Sequence, residues 1–131
     1  MKKPVALTSL LFSLLLLTSA QTIITGKVVS VADGDTITVL DAGKRQHKIR
    51  LGGIDCPEKG QDYGNKAKQF ASNLVFGKEV KVIVTDKDRY NRNIGTVTVD
   101  GRNLNEELVA AGLAWHYKQY SKDKRRAAVS Y

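Results

Sequence analysis

From Thr25 to Ala114 the spacing of apolar residues changes period three times, and that succession limits the fold more than any composition figure. TGKVVSVADGDTITVL, residues 25–40, reads as two β-rich runs about Asp33-Gly34, a dipeptide suited to a tight hairpin turn. RQHKIRLGGI, residues 45–54, gives a third strand after a turn at Asp41-Ala42-Gly43. In NKAKQFASNLVFG, Ala67, Phe70, Ala71, Leu74 and Val75 recur at i, i+3, i+4, i+7 and i+8, which is one face of a helix. Asn65 is expected to cap its start and Gly77 to end it. EVKVIVT returns to alternation at Val80, Val82 and Val84, NIGTVTV forms a fifth strand, and Asp100-Gly101 turns the chain. NLNEELVAAGLA is a second helix, with Asn103 at the N-cap and Glu106 three residues on, as in a capping box.

Three strands, a helix, two strands and a helix are the element order of an OB-fold. The expected class is α+β, mainly β: a five-stranded barrel with two helices packed against it. SKDKRRAAVSY adds a short third helix from Ser121, with little apolar surface to hold it.

MKKPVALTSLLFSLLLLTSA stands apart from this pattern. Lys2 and Lys3, an uncharged apolar run and small residues at Thr18-Ser19-Ala20 have the form of a cleavable signal peptide. The run from Pro4 to Ala20, about 17 residues, is at the lower limit for spanning a bilayer, so an uncleaved anchor is the alternative. Residues 1–20 are therefore read as a leader and 21–131 as one domain, secreted or periplasmic. Losing Lys2 and Lys3 lowers the net charge from +8 to +6, which still favours a polyanionic partner. Cys56 is the only cysteine, so no internal disulfide can stabilise the exported domain.

The stretch IRLGGIDCPE, residues 49–58, carries the densest functional signal. Ile49 and Leu51 share one strand face and Arg50 takes the other. A bulge at Gly52-Gly53 would return Ile54 to the core and turn Asp55 to the face of Arg50, beside Glu58. Asp35 shares parity with Ile37 and Val39, which aims a second carboxylate at the barrel mouth, where burial is costly without a cation. Two carboxylates from separate strands, with carbonyls and water, suit a hard ion such as Ca²⁺. Taken singly, Asp35 belongs to a hairpin turn, Asp55 caps a strand end and Glu58 is a solvated loop residue. Arg50 alone forms an ion pair with Asp55, worth under about 1 kcal/mol at a surface. Arg89 and Arg92 around Tyr90 offer phosphate binding with a ring for stacking, or simply a charged loop. His47 and His116 read as surface or packing residues, and no Ser-His-Asp order, zinc spacing or phosphate-cradling glycine loop is present.

VADGDTITVL, IRLGGIDCPE, DRYNR and NLNEELVAAGLAW, in that order, closely resemble the successive motifs of the staphylococcal thermonuclease (micrococcal nuclease-like) family, from about Thr25 to Tyr120. The resemblance implies an OB-fold nuclease that uses Ca²⁺ to cleave DNA and RNA, releasing 3′-phosphate ends. Asp35 and Asp55 look like its calcium-binding carboxylates, with the backbone carbonyl of Cys56 as a further ligand. Arg50, Glu58 and Arg92 match its three catalytic positions. Arg89, Tyr90 and Tyr117 lie where that family contacts the nucleotide. Cys56 stands where threonine or alanine is frequent, and Asn91 where glycine is usual; asparagine is the next best residue for a left-handed turn. The family continues through a longer C-terminal helix than a chain ending at Tyr131 supplies. The expected partner is nucleic acid, DNA and RNA, with the chain monomeric and free of the membrane once the leader is removed. The rival reading is a non-catalytic OB module that binds nucleic acid by charge and stacking.

Overall fold

The computed structural model describes residues 21–58 and 60–116. The expected signal peptide, the expected third helix from Ser121 and the candidate nucleotide contact Tyr117 all lie outside the described residues. Alternation of inward Val, Ile and Leu with polar residues builds the sheet. β1 (Thr22–Asp33) and β2 (Thr36–Leu40) form the hairpin, and β3 (Gln46–Leu51) follows a turn in which Lys44 has a positive φ. β4 (Ile54–Asp55) and α1 (Asp62–Val75) come next, then β5 (Glu79–Lys87) and β6 (Asn93–Val99). β7 (Arg102–Asn103), α2 (Leu104–Ala110) and β8 (Trp115–His116) complete the described chain.

The main sheet runs β3-β2-β1-β5-β6-β7, and a parallel pairing of β3 with β6 closes its five long strands into the expected OB-type barrel. β1 serves two neighbours, pairing with β5 through Thr22–Lys27 and with β2 from Lys27 onward. Its register shifts between Val28 and Ser30, so Val28 and Val31, an odd distance apart, both face the core. Ile37, Val39, Ile49, Leu51, Val80, Val82, Val97 and Val99 fill the interior at the parity the sequence predicts.

α1 starts earlier than its apolar spacing predicts. Gln61, with no side-chain cap, is the N-cap, and Asn65 lies inside the helix, its amide bonded to the Gln61 carbonyl. The added turn exists because Gly64 packs under the preceding loop, a tertiary contact that apolar periodicity does not encode. Ala67, Ala71 and Val75 are buried against the barrel, and Gly77 just beyond the helix takes a positive φ. In α2 the Asn103 side chain accepts from the Glu106 amide, and Leu104 and Leu108 are fully buried over the core. Among the described residues no helix is long and apolar enough to cross a membrane.

The Gly52-Gly53 break differs from the expected bulge. It is a turn that ends β3, with Gly53 at φ 73°, after which β4 leaves the barrel and pairs with β8. The consequence for side chains is the one expected of the bulge: Ile54 is buried and Asp55 reaches Arg50.

Candidate active site

Arg50 is the centre of the site. Its Nη1 donates to the carbonyls of Leu51 and Ile54, both at 2.9 Å, and so closes the glycine turn from within. Its Nη2 donates to Asp55 Oδ1. Asp35, from the hairpin between β1 and β2, lies 3.3 Å from Nη1 through Oδ2. Two carboxylates from opposite sides of the chain thus meet at one guanidinium. Nε and the second Nη2 proton have no acceptor among the described residues, which leaves donors for an incoming anion.

Asp35 Oδ2 also accepts from the Cys56 amide at 3.2 Å, and its Oδ1 from the Thr36 hydroxyl at 3.1 Å. These bonds tie the hairpin turn to the segment after β4. Burial pushes the Cys56 thiol up to about 12 and the Asp35 carboxylate adds to it; Arg50 opposes, and Asp55 and Asp33 add smaller pushes. The thiol is therefore protonated and inert at neutral pH. Among the described residues no group of three or more His, Cys, Asp or Glu side chains is placed to hold a metal. The Asp35 and Asp55 carboxylates and nearby carbonyls are hard oxygens, whose chemistry would suit calcium better than a soft metal.

The loop from Asp88 to Arg92 supplies the other wall. Asn91 adopts φ 64°, the left-handed conformation expected there. Asp88 Oδ1 accepts from the Tyr90 and Arg92 amides, and Arg92 Nε donates to Asp88 Oδ2 at 2.6 Å. Because β3 pairs with β6 in parallel, Arg50 sits opposite Ile94, two residues past Arg92. Arg50, Asp55, Asp86, Asp88 and Arg92 consequently line one cleft of about 620 Å³. Tyr90 is 68% exposed, with the guanidiniums of Arg89 and Arg92 5.2 and 5.7 Å from its ring centre.

Glu58 is not among the residues lining that cleft. It is exposed on the loop after Pro57, and its carboxylate makes no hydrogen bond or ion pair among the described residues. Its backbone is held firmly: the carbonyl accepts from Gln61, and a Cβ placed on Gly64 would lie 1.8 Å from that oxygen. His47 bonds Asp41 at 2.8 Å and takes no part in the site.

Sequence reasoning missed Asp88 as the residue that aims Arg92, although the run DRYNR shows it. Partial desolvation pushes the Asp88 carboxyl up, but bonds from the Arg92 amide and guanidinium and the Tyr90 amide outweigh it and hold the carboxyl below its ordinary 3.8. A carboxyl depressed on folding stabilises the native state above its unfolded value, and that contribution is lost as pH falls through the lower folded value. Asp88→Asn is therefore expected to flatten part of the acid loss of stability below about pH 3.8. Urea midpoints from about pH 5 to pH 2 measure it, and parallel wild-type and variant curves would contradict it.

A family model described as "Staphylococcal nuclease homologue" matches residues 48–130. The chain belongs to the staphylococcal nuclease family. It is 46% identical over 99 residues to an uncharacterized endonuclease of Haemophilus influenzae, covering 76% of this chain and 56% of that protein. It is 50% identical over 99 residues to an uncharacterized endonuclease of Escherichia coli O157:H7, covering 75% and 64%. A micrococcal nuclease of Shigella flexneri is 39% identical over 106 residues, covering 74% and 60%. The chain thus spans between about half and two thirds of the length of these relatives. Arg50, Asp55, Cys56, Glu58, Arg89, Tyr90, Arg92 and Tyr117 all fall inside the staphylococcal nuclease match, whereas Asp35 falls outside it. Asp35 joins the site on geometry, through Arg50 and Cys56.

Proposed function

We propose that this chain is a calcium-dependent nuclease that hydrolyses phosphodiester bonds of DNA and RNA and leaves 3′-phosphate ends. The observation that carries the reading is the meeting of Asp35 and Asp55 at Arg50, which together with Asp55 and Arg92 lines one cleft. Asp35, Asp55 and the Cys56 carbonyl would hold calcium, which when bound offsets charge on a phosphate oxygen. Arg50 and Arg92 donate to the oxygens that gain charge as the phosphorus becomes five-coordinate. Glu58, exposed on the loop after Pro57, orients or deprotonates the attacking water. The water oxygen bonds to phosphorus, the bond from phosphorus to the 5′-oxygen breaks, and an arginine N–H steadies that oxygen until solvent protonates it. Tyr90 and Arg89 contact the nucleotide, as does Tyr117. The chain acts as a monomer, secreted or periplasmic, a reading supported by the leader at residues 1–20.

The test uses purified protein lacking the leader, with plasmid, single-stranded DNA and RNA as substrates. Cleavage in calcium, its loss in EDTA and 3′-phosphate ends are expected. Binding without cleavage in both conditions would overturn the enzyme and favour a nucleic-acid-binding module.

A further inference from the structure

A second cleft, of about 560 Å³, opens beyond the Asp55–Pro57 segment and is lined by Pro57, Asp62, Tyr63, Leu113 and Trp115, among others. Tyr63 and Trp115 are 62% and 54% exposed, large rings that a chain ordinarily buries at least in part. Lys66 Nζ lies 5.1 Å from the Tyr63 ring centre, so a cation stands at this ring as two do at Tyr90. The cleft adjoins the active site. Trp115 is paired directly opposite Asp55 across β4 and β8, and opposed residues place their Cβ atoms about 4.5–5.5 Å apart on one face. Pro57, on its wall, is two residues from Asp55, at most about 7 Å along the chain.

We propose that this cleft binds a base of single-stranded nucleic acid neighbouring the nucleotide whose phosphodiester is cleaved; the inference rests on the nuclease reading above. The base stacks on Tyr63 and Trp115 against the apolar Pro57 and Leu113 walls, and Lys66 meets a flanking phosphate. Stacking platforms with cations at their edges accept any base, because every base has a π-face. Asp62, on the cleft lining, repels phosphate and accepts from base N–H groups, which orients the strand with its backbone toward Lys66. A duplex offers no free base face, so the cleft selects single strands.

Trp115 is the only tryptophan of the chain, so its emission reports the cleft directly. The experiment titrates the full domain with an oligothymidylate of about eight nucleotides in EDTA, where no cleavage occurs. Saturable quenching is expected from the single strand and little from a duplex of the same length. Tyr63→Ala weakens the affinity about tenfold and Tyr63→Phe restores it. Trp115→Phe, followed by anisotropy of a labelled oligonucleotide, weakens it by less because a ring remains. Unchanged emission, equal quenching by duplex, or an unchanged Tyr63→Ala affinity in a folded variant each overturn the proposal. Emission that responds to protein concentration and not to oligonucleotide assigns the cleft to a second copy and likewise overturns it. Failure to cleave in calcium would remove the nuclease and leave the quenching, whereas cleavage with silent Trp115 would remove only the base site.

Discussion

Arg50→Ala is expected to lower turnover on single-stranded DNA by at least about 10²-fold, the loss seen when one preorganised donor to a developing oxyanion is removed. The physical reason is that Arg50 does three things at once. It closes the Gly52-Gly53 turn through two carbonyls, it holds Asp35 and Asp55 at one point, and it presents further N–H donors to the cleft. Arg50→Lys keeps the charge but not the planar fork, so most of the loss should persist. The variant also loses hydrogen bonds, at about 1–3 kcal/mol in stability, so turnover is compared at a temperature where circular dichroism shows both proteins folded. Glu58→Ala separates chemistry from folding more cleanly, because the exposed carboxylate makes no hydrogen bond or ion pair among the described residues. That variant and Arg92→Ala are each expected to lose at least about 10²-fold in kcat. Near-normal calcium-dependent cleavage by folded Glu58→Ala would remove Glu58 from the mechanism.

The largest stability effect is expected at Asn105, a residue with no obvious signal in the sequence. It is 6% exposed, the one polar side chain buried in the described core. Its Oδ1 accepts from the Val97 amide at 3.1 Å, and its Nδ2 donates to the carbonyls of Gly52 and Gly95, at 3.0 and 3.2 Å. Gly95 sits opposite Leu51 where β3 and β6 close the barrel, and Gly52 begins the turn between Arg50 and Asp55. One amide therefore pins α2, the barrel closure and the Gly52-Gly53 turn of the candidate site together. Asn105→Ala removes these partners from the Val97 amide and the Gly52 carbonyl, at about 1–3 kcal/mol for each one left unsatisfied, while the Gly95 carbonyl still accepts from the Gly52 amide at 2.8 Å. A total of about 2–5 kcal/mol is a large part of the roughly 5–15 kcal/mol that a domain possesses. The urea midpoint should fall accordingly, and cleavage per folded molecule should fall with it, since the turn loosens. An unchanged midpoint would show that these bonds contribute nothing net.

Two errors of the sequence reading have one origin. Asn65 has the chemistry of a cap, yet the helix begins at Asp62 because Gly64 can approach the Glu58 carbonyl and any side chain there would collide with it. Gly52-Gly53 has the chemistry of a bulge, yet the chain turns out of the sheet because β8 waits to pair with Ile54-Asp55. In both places local preference allowed several outcomes and a distant partner chose between them. Arg50 and Asp55 are close in sequence, but five residues apart they alternate to opposite faces of a strand, and it is the break at Gly52-Gly53 that brings them together.

What the sequence determined by itself was local. Period and turn residues set five strands and two helices in order, and the spacing within IRLGGIDCPE and DRYNR set which side chains leave each segment together. Those features act over a few residues, through backbone sterics and side-chain alternation. The meeting of the two segments, and of both with Asp35, was decided by tertiary structure. Parallel closure of β3 on β6 carries Arg92 to Arg50 across forty-odd residues of chain, and Asn105 fixes that closure from α2. Long-range register follows from the summed burial of the whole core and the satisfaction of every buried backbone group, quantities that no short stretch contains.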